Sequence, residues 1–362
     1  MYLQSLNVSN FRNLSSVAVE LSPGVNIFYG NNGSGKTNLL EAIFVLCLGR
    51  SHRSANEAVL VREGCDFYRL EGVVCADDRT LELAVAYQRA SRKKATIDKV
   101  PIKLAELYGN FAVVAAGPED SDILSGPPSS RRNFIDVYLS QYSQSYLSRL
   151  INYQKALNQK NAALKKQMDP APFNELLVQA GALIMKDRLE YLRQLGQRAA
   201  GYYGSITDGC RFGLEYRPSV SLPDGTPGIE DITRAFRLKL EEFSGKERIT
   251  ETSMVGIHRD DVYFTIGSLP ARTHGSQGEW RTAAIALKLA VYHLIREMRG
   301  IHPVLLLDEI FAELDDSRSR GLMNAFEDFE QLFITTAAQL PDFLKNGSRS
   351  YKIADGAIAE VN

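Results

Sequence analysis

The sequence predicts an α/β protein in which both ends of the chain build a mixed sheet with helices, and a helical arm is inserted between them. Three observations carry this prediction: a glycine-rich octapeptide at 30–37, an apolar run that ends in an acidic pair at 304–309, and a helical, strand-poor stretch from about 134 to 207. We expect the first two motifs to form one site. The helical stretch between them must then project from a core that both chain ends share.

Composition is that of an ordinary globular protein, with 44% hydrophobic and 23% charged residues. The net charge of −1 means that any binding to nucleic acid must come from local basic patches. The four cysteines are scattered and the five histidines lack metal-ligand spacing, which argues against a disulfide framework or a zinc site. Without a signal-peptide core or a long apolar run, the chain is predicted to be cytoplasmic.

The octapeptide fits the phosphate-binding pattern G-x-x-x-x-G-K-[ST] and lies between a β-rich run, Val25–Tyr29, and an amphipathic helix, Thr37–Leu48. Glycines let successive N–H groups converge on an anion, and the helix adds the positive end of its dipole. Lys36 would reach the β- and γ-phosphates of a nucleoside triphosphate, and the Thr37 hydroxyl would ligate Mg²⁺. A plain surface loop is the alternative, which this context disfavours. The predicted nucleotide-binding residues are Gly30, Asn31, Asn32, Gly33, Ser34, Gly35, Lys36 and Thr37.

The acidic pair follows Val304–Leu307, an apolar run typical of a central parallel strand. Asp308 would complete the Mg²⁺ shell, and Glu309 would polarise the attacking water, so Lys36, Asp308 and Glu309 are the predicted catalytic residues. A solvated turn is the alternative interpretation. Asp308 follows Lys36 by 272 residues, so one site would be assembled from both chain ends.

A third motif, Ser276-Gln277-Gly278-Glu279, opens a strong helix that runs to Arg299, 32 residues before Asp308. A small polar residue with glycine at a helix start is a further anion site, although any capped helix looks similar. Because Lys36 and Thr37 already surround the phosphates, this motif predicts a site that a second subunit completes. Ala312-Glu313-Leu314-Asp315 then lies where a loop linking two such sites is expected.

The remaining elements follow from periodicity. Strands are predicted at Leu3–Val8, Val17–Leu21, Tyr68–Val74, Thr80–Tyr87, Thr96–Ile102, Thr252–Ile257, Val262–Ile266 and Leu332–Thr335, with a C-terminal hairpin over Tyr351–Val361. In the middle, apolar residues at 4-3 spacing from Tyr146 to Leu164, with Lys160 in the same register, and from Val178 to Ala199 predict a helical hairpin broken at 169–172. A further helix is predicted at Ile229–Glu247. The predicted domains are 1–125, 126–250 and 251–362.

These motifs, in this order, resemble the ABC-type ATPases of DNA maintenance, the SMC-like group, and within it the RecF family. The resemblance covers the whole chain and extends to several shorter segments: Asn10-Phe11-Arg12-Asn13-Leu14, Gly49-Arg50-Ser51-His52-Arg53, Gly117-Pro118-Glu119-Asp120, Ser130-Arg131-Arg132-Asn133-Phe134-Ile135-Asp136 and Gly256-Ile257-His258-Arg259-Asp260-Asp261. Three features depart from the wider pattern. Glu119 or Asp120 stands where a lobe-linking glutamine is usual, Thr335-Thr336 stands where many relatives have histidine, and Ile257 replaces a proline.

The resemblance implies an ABC-type P-loop ATPase head of two lobes with an inserted helical-hairpin arm. It implies a weak, DNA-stimulated ATPase whose homodimer closes on ATP, with Ser276, Gln277, Gly278 and Glu279 acting in trans. It also implies binding to double-stranded DNA or single-strand/double-strand junctions at the nucleoid, in recombinational repair. The implied partners are RecR and RecO, with which the family loads RecA at gaps.

DNA contacts are predicted at clustered basic residues, each of which is otherwise a solvated or salt-bridged surface residue. The candidates are Arg50, Arg53, Arg92, Lys93, Lys94, Arg131 and Arg132. Two other functions share parts of the pattern. The ATPase subunit of a membrane transporter has the same three motifs but lacks an inserted helical hairpin. A small-molecule kinase or GTPase leaves the 272-residue separation unexplained.

Overall fold

The computed structural model describes residues 1–76, 79–207, 209–223, 225–313, 329–337 and 347–361. The strands are β1 Tyr2–Phe11, β2 Leu14–Glu20, β3 Gly24–Tyr29, β4 Phe67–Ala76, β5 Arg79–Gln88, β6 Lys94–Ile97, β7 Val100–Ile102, β8 Val113–Ala116, β9 Phe212–Arg217, β10 Asp261–Ile266, β11 Leu269–Pro270, β12 Val304–Asp308, β13 Gln331–Thr336, β14 Arg349–Ala354 and β15 Ala357–Val361. The helices are α1 Lys36–Leu48, α2 Leu104–Asn110, α3 Asp122–Ser125, α4 Pro128–Tyr142, α5 Gln144–Lys165, α6 Ala171–Ile206, α7 Ile229–Thr250, α8 Ala271–His274 and α9 Gln277–Arg299.

The chain forms two compact units. The first contains residues 1–120, 205–207 and 284–362, and the second contains 121–204 and 208–283. Both chain ends therefore lie in the first unit, whereas residues 251–283 belong to the second. The three-part division predicted from the sequence stays a prediction.

The first unit contains a mixed six-stranded sheet in the order β15-β14-β3-β13-β12-β8. β3 is parallel to β13 and β14, and β12 is parallel to β13 and β8. The apolar run at 304–307 is thus a buried central parallel strand, as predicted. Its carboxyl end and that of β3 lie at the same edge of the sheet, with one strand between them.

The first unit also contains an antiparallel sheet in the order β2-β1-β4-β5-β6-β7. Helix α1 is almost entirely buried and contacts strands of both sheets. The segment Thr96–Ile102, predicted as one strand, is two short strands. Asp98 and Lys99 both have positive φ, of 49° and 67°, and form the tight turn that divides them.

In the second unit, helices α4 to α7 accompany a small antiparallel sheet in the order β11-β10-β9. The predicted helical hairpin is present as α5 and α6, which an ion pair between Arg149 and Asp187 links. The stretch from about 134 is helical, as predicted, and Ser143 divides it into α4 and α5 by capping α5, since its hydroxyl accepts a hydrogen bond from the Tyr146 N–H. Lys160, in the apolar register of α5, can be buried because it pairs with Glu247 of α7 at 2.7 Å.

The prediction of a strand at Thr252–Ile257 is wrong. Side chains, rather than a neighbouring strand, satisfy the backbone of this segment: Asn161 accepts from the Ser253 N–H, Glu247 from the Met254 N–H, and Ser219 from the Gly256 N–H. Apart from the divided segment Thr96–Ile102, the other predicted strands, the helix at 229–247 and the C-terminal hairpin are confirmed to within three residues. Among the described residues, no helix combines the length and apolar character needed to cross a membrane.

Candidate nucleotide site

The glycine-rich octapeptide forms the turn between β3 and α1, as predicted. Gly30 is required there because a Cβ at this position would lie 2.2 Å from the carbonyl oxygen of Ile353. Gly35 has φ of 112° and is the N-cap of α1 without a side-chain cap. The first N–H groups of a helix have no intrahelical partners, so α1 presents donors and a positive dipole end toward an anion.

Lys36 lies over the loop with its side chain only 4% exposed. Its Nζ donates to the carbonyl oxygens of Gly30 at 2.9 Å and Asn31 at 3.2 Å, and lies 3.2 Å from a carboxylate oxygen of Glu309. This brings together two predicted catalytic residues from opposite ends of the chain.

Thr37 and Asp308 also meet, although they are 271 residues apart in sequence. The Thr37 hydroxyl lies 2.9 Å from each carboxylate oxygen of Asp308. Burial raises the pKa of Asp308, opposed by hydrogen bonds from Thr335 and Thr37, and the net shift is upward. The hydroxyl and carboxylate oxygens are the ligand types that Mg²⁺ prefers, so this pair fits the predicted ion.

Thr335, on the neighbouring strand β13, fixes both acids. Its hydroxyl donates to Asp308 Oδ1 at 2.5 Å and accepts from the Glu309 N–H at 3.0 Å. Glu309 has a positive φ of 50°, and its carboxylate accepts a hydrogen bond from the Ala337 N–H at 3.2 Å. Thr335 therefore organises the acidic pair.

Ser34 supports the assignment of the loop to an anionic ligand. Its side-chain oxygen is buried and has no hydrogen-bond partner among the described residues. Buried hydroxyl groups normally have partners, so an unsatisfied one in a phosphate-type loop is a donor suited to a ligand oxygen.

Sequence reasoning missed a buried carboxylate next to this loop. Glu41, in α1, has a fully buried side chain and pairs with Arg12 at 2.9 Å and Arg53 at 3.2 Å. Burial raises the pKa of Glu41, but hydrogen bonds from Arg12 and Ser51 outweigh it and the net pKa is lowered. In the sequence, the segments Asn10–Leu14 and Gly49–Arg53 carry only a family resemblance. The available signal was the presence of Arg12 and Arg53 before and after a helix whose buried stretch contains the single acidic residue Glu41.

The segment Gly117–Asp120 lies beside Asp308, since a Cβ at Gly117 would be 3.3 Å from Asp308 Cβ. Asp120 accepts from the Gly117 N–H at 2.8 Å and pairs with Lys288 of α9 at 2.8 Å. Glu119 pairs with Arg53 at 2.8 Å. Both candidates for the lobe-linking position are therefore held by cations of the first unit.

Ser276 and Glu279 form a capping box at the start of α9. The Ser276 N–H donates to the Glu279 carboxylate at 2.8 Å, and the Glu279 N–H donates to Ser276 Oγ at 3.3 Å. Ser276 and Gln277 are exposed and Gly278 is partly exposed. The motif is thus an accessible helix N-terminus, and its action in trans stays a prediction.

The predicted DNA contacts divide into two groups. Arg131 is buried and forms two hydrogen bonds to Asp261, at 2.6 and 3.0 Å, and the Lys93 side chain, only 8% exposed, pairs with Glu57. Arg132 donates to the Asp260 carbonyl at 2.9 Å. These three cations already serve internal contacts. Arg53, whose side chain is 25% exposed, also serves internal contacts because it pairs with Glu41 and Glu119. The more accessible candidates are Arg92 and Lys94, which are exposed, and Arg50, which is partly exposed.

A phosphate-type loop before a buried helix, joined to an acidic strand end and accompanied by a capped helix start, defines a P-loop nucleotide-binding head of the ABC type. The sequence matches the family described as the RecF/RecN/SMC N terminal domain over residues 2–357. It is 38% identical to the DNA replication and repair protein RecF of Symbiobacterium thermophilum, over 92% of this chain and 91% of that protein. It is 34% identical to RecF of Clostridium tetani, over 99% and 100%. The chain therefore belongs to the RecF family.

Solved structures agree with this assignment. A structure described as the recombination mediator protein RecF-ATP in the RecFOR pathway is 32% identical, with a TM-score of 0.90 and coverage of 100% of this chain and 97% of that one. An SMC head bound to the C-terminal winged-helix domain of ScpA is 15% identical, with a TM-score of 0.57 and coverage of 100% and 97%. That second likeness concerns the fold alone. The family match selects DNA maintenance over the transporter and kinase alternatives.

Proposed function

We propose that this chain binds Mg–ATP at residues 30–37 and uses slow hydrolysis as a switch in recombinational DNA repair. The observation that carries the proposal is the 2.9 Å approach of Thr37 and Asp308, two oxygen ligands from segments 271 residues apart. Lys36 and Glu309 converge on the same place. The ATP-bound RecF structure with similar fold supports the same ligand for this chain.

Each residue has a defined part in this proposal. The loop N–H groups and Lys36 would bind the phosphates, and Thr37 and Asp308 would hold Mg²⁺, which would supply positive charge to neutralise the phosphates. Glu309, which Thr335 and Ala337 orient, accepts a hydrogen bond from the attacking water and polarises it. The ion pair between Lys36 and Glu309 must open for both to act on the substrate.

We further propose that ATP closes a homodimer. Ser276, Gln277 and Gly278 lie at an accessible helix start, where Ser276 and the N–H groups that follow it can contact the γ-phosphate held by a second copy. A ligand that binds only the dimer shifts the monomer–dimer equilibrium by mass action. Hydrolysis removes that contact and reopens the dimer.

The closed dimer would clamp double-stranded DNA or a single-strand/double-strand junction, which in turn stimulates its weak ATPase activity. Support comes from family membership and from the exposed cations Arg92 and Lys94. RecF relatives act in DNA replication and repair, and one is placed in the RecFOR pathway. On that basis RecR and RecO are the proposed partners, RecA loading the proposed outcome, and the nucleoid the proposed location.

Measurement of molecular mass in solution, with and without ATP and duplex DNA, tests the proposal. We expect a monomer that becomes a dimer only with ATP and Mg²⁺, and a larger complex when DNA is added. A mass that is independent of ATP would contradict the switch. ATP-dependent dimers that ignore DNA would contradict the clamp while leaving the nucleotide site intact.

A further inference from the structure

Two backbone carbonyl groups of the phosphate loop are held from outside the loop. Gly33 O accepts a hydrogen bond from Asn13 Nδ2 at 2.9 Å, and Ser34 O accepts one from the Gly356 N–H at 3.0 Å. Asn13 lies in the turn between β1 and β2, and Gly356 lies in the turn between β14 and β15. Two turns near opposite ends of the chain thus donate hydrogen bonds to consecutive carbonyl groups of the phosphate loop.

The direction of the Asn13 hydrogen bond follows from a chain of partners. Arg53, which can only donate, donates to Asn38 Oδ1 at 3.1 Å. Asn38 must therefore turn its amide nitrogen to Asn13 Oδ1, at 2.8 Å. This leaves Asn13 Nδ2 facing Gly33 O, so a guanidinium fixes the orientation of both amides.

The two turns also touch each other. Gly356 is buried with φ of 74°, and a Cβ at this position would lie 2.4 Å from the Asn13 carbonyl oxygen. Any larger residue would push the Asn13 turn and the C-terminal hairpin apart. The contact therefore requires glycine, for both backbone conformation and space.

A planar trans peptide group directs its N–H opposite to its C=O. With Ser34 O held on the outside by Gly356, the Gly35 N–H points to the other side of the loop. We propose that Asn13 and Gly356 are positioning residues that hold these carbonyl groups outward and so order the loop before a nucleotide binds. The Gly35 N–H then faces the phosphates, whereas the Ser34 N–H, in the peptide group that Asn13 holds, donates to the Asn31 carbonyl within the loop at 3.2 Å. This inference rests on the proposed function for the identity of the ligand.

A loop that is ordered in advance loses less conformational freedom when it binds a ligand. The two hydrogen bonds from Asn13 and Gly356, which we call the braces, should therefore raise the affinity for nucleotide. Both residues bind carbonyl groups of the loop rather than the catalytic side chains. Loss of a brace should therefore raise the KM for ATP and leave kcat nearly unchanged, the pattern of lost uniform binding.

Asn13→Ala is the first test, with titration of a fluorescent ATP analogue and hydrogen exchange of the nucleotide-free protein. Loss of one hydrogen bond predicts about a fivefold to tenfold weaker affinity. It also predicts faster exchange of the amides of residues 31–37 with no nucleotide present. Unchanged affinity and unchanged exchange in a folded Asn13→Ala protein would overturn the proposal.

Gly356→Ala is the second test, with Gly347→Ala as its matched control. Gly347 has φ of 77°, close to that of Gly356, but a Cβ there meets nothing within 4 Å. Both variants carry the same backbone strain, and only Gly356→Ala should weaken ATP binding. Equal losses in the two variants would count against the contact. If Gly356→Ala does not fold, Asn13→Ala decides alone.

The wild type and Lys36→Ala separate this inference from the proposed function. If the wild type does not bind ATP, the proposed nucleotide binding is wrong. If Lys36→Ala binds ATP as tightly as the wild type does, the nucleotide binds somewhere other than residues 30–37. The exchange comparison uses no nucleotide, so it would still show whether Asn13 braces the loop.

Discussion

Arg188 and Asp260 form an ion pair of 3.1 Å in which each side chain is only 1% exposed. Arg188 also pairs with Asp136 at 2.7 Å and donates to the Ile257 carbonyl at 3.0 Å. Asp260 accepts from the Tyr216 hydroxyl and from the Ser219 N–H. One buried guanidinium thus joins α4, α6 and the segment before β10 within the second unit.

Arg188→Ala should destabilise the second unit by about 3–5 kcal/mol, because it leaves a buried carboxylate without its countercharge. Thermal unfolding measures the effect. Arg193→Ala on the same helix is the control, since Arg193 is 58% exposed in a pair with Glu190 and should cost less than about 1 kcal/mol. Similar melting of the two variants would contradict a structural role for the buried pair.

Stability should fall in mild acid because of His258. Burial and the nearby cations Arg259, Lys160 and Arg132 lower the pKa of His258 from 6.5 to about 4, although a hydrogen bond to the Ser253 carbonyl opposes the shift. Above pH 6.5 the histidine is neutral in both states. Between about 6.5 and 4 only the unfolded chain binds the proton, so the free energy of unfolding falls as pH falls, by up to roughly 3 kcal/mol.

Melting temperatures measured from pH 7 to pH 4 test this dependence. His258→Gln should make the profile shallower over that range, and part of the dependence should remain because burial also lowers the pKa of His52 to about 4. His274→Gln, at an exposed histidine, is the control and should retain the wild-type profile. A profile that His258→Gln leaves unchanged would assign the acid sensitivity to other groups.

Glu309→Gln should retain ATP-stabilised dimers and lose hydrolysis by a factor on the order of 100 or more, because the amide no longer polarises water as a carboxylate does. Phosphate release and sedimentation measure the two properties. The substitution also removes the ion pair to Lys36 and leaves Thr37 and Asp308 unaltered. A variant that stays monomeric with ATP would refute the assigned role.

Ser276→Arg should bind ATP normally but fail to dimerise, because a bulky cation at the helix start blocks the approach of a second subunit. Sedimentation with ATP measures the outcome. Ser244→Arg makes the same change at an exposed position of α7 and should dimerise like the wild type. Unimpaired dimers of Ser276→Arg would contradict completion of the site in trans.

Replacement of Arg92 and Lys94 by alanine should weaken duplex binding and reduce its salt dependence, with a slope change of about 0.9 for each DNA phosphate that is no longer neutralised. Binding measured over a salt series gives the slope. Lys93→Ala should instead lower thermal stability, because the largely buried Lys93 side chain pairs with Glu57. An unaltered slope in the double variant would show that the turn between β5 and β6 does not contact DNA.

The sequence predicted the elements whose signals are local. The pattern at 30–37 and the apolar run at 304–307 indicated the strand and loop types, and their order predicted that Thr37 and Asp308 meet. The structure places these two residues in contact. The prediction of a strand at 252–257 was wrong because the backbone N–H groups of this segment donate to the side chains of Asn161, Glu247 and Ser219. No local sequence pattern connects these residues to the segment.

Residues that act through distant partners could not be predicted in the same way. Lys160 is a charged residue in the apolar register of α5. Its partner, Glu247, lies 87 positions later on a helix whose packing the periodicity does not specify, so the pair could not be predicted. Glu41 resembles an ordinary helical glutamate, and only the fold brings Arg12 and Arg53 beside it. Such pairs depend on tertiary contacts, which periodicity alone does not encode.

Strand β3 has a consequence for synthesis of the protein on the ribosome. Its two neighbours in the sheet are β13 and β14, which begin at Gln331 and Arg349. At about 5–20 residues per second, roughly 15–60 s pass between translation of β3 and of its first partner. During that interval both edges of an apolar strand are unpaired, which invites intermolecular pairing. The nucleotide site likewise lacks Asp308 and Glu309 until only the last 55 residues of the chain, 308–362, are being made.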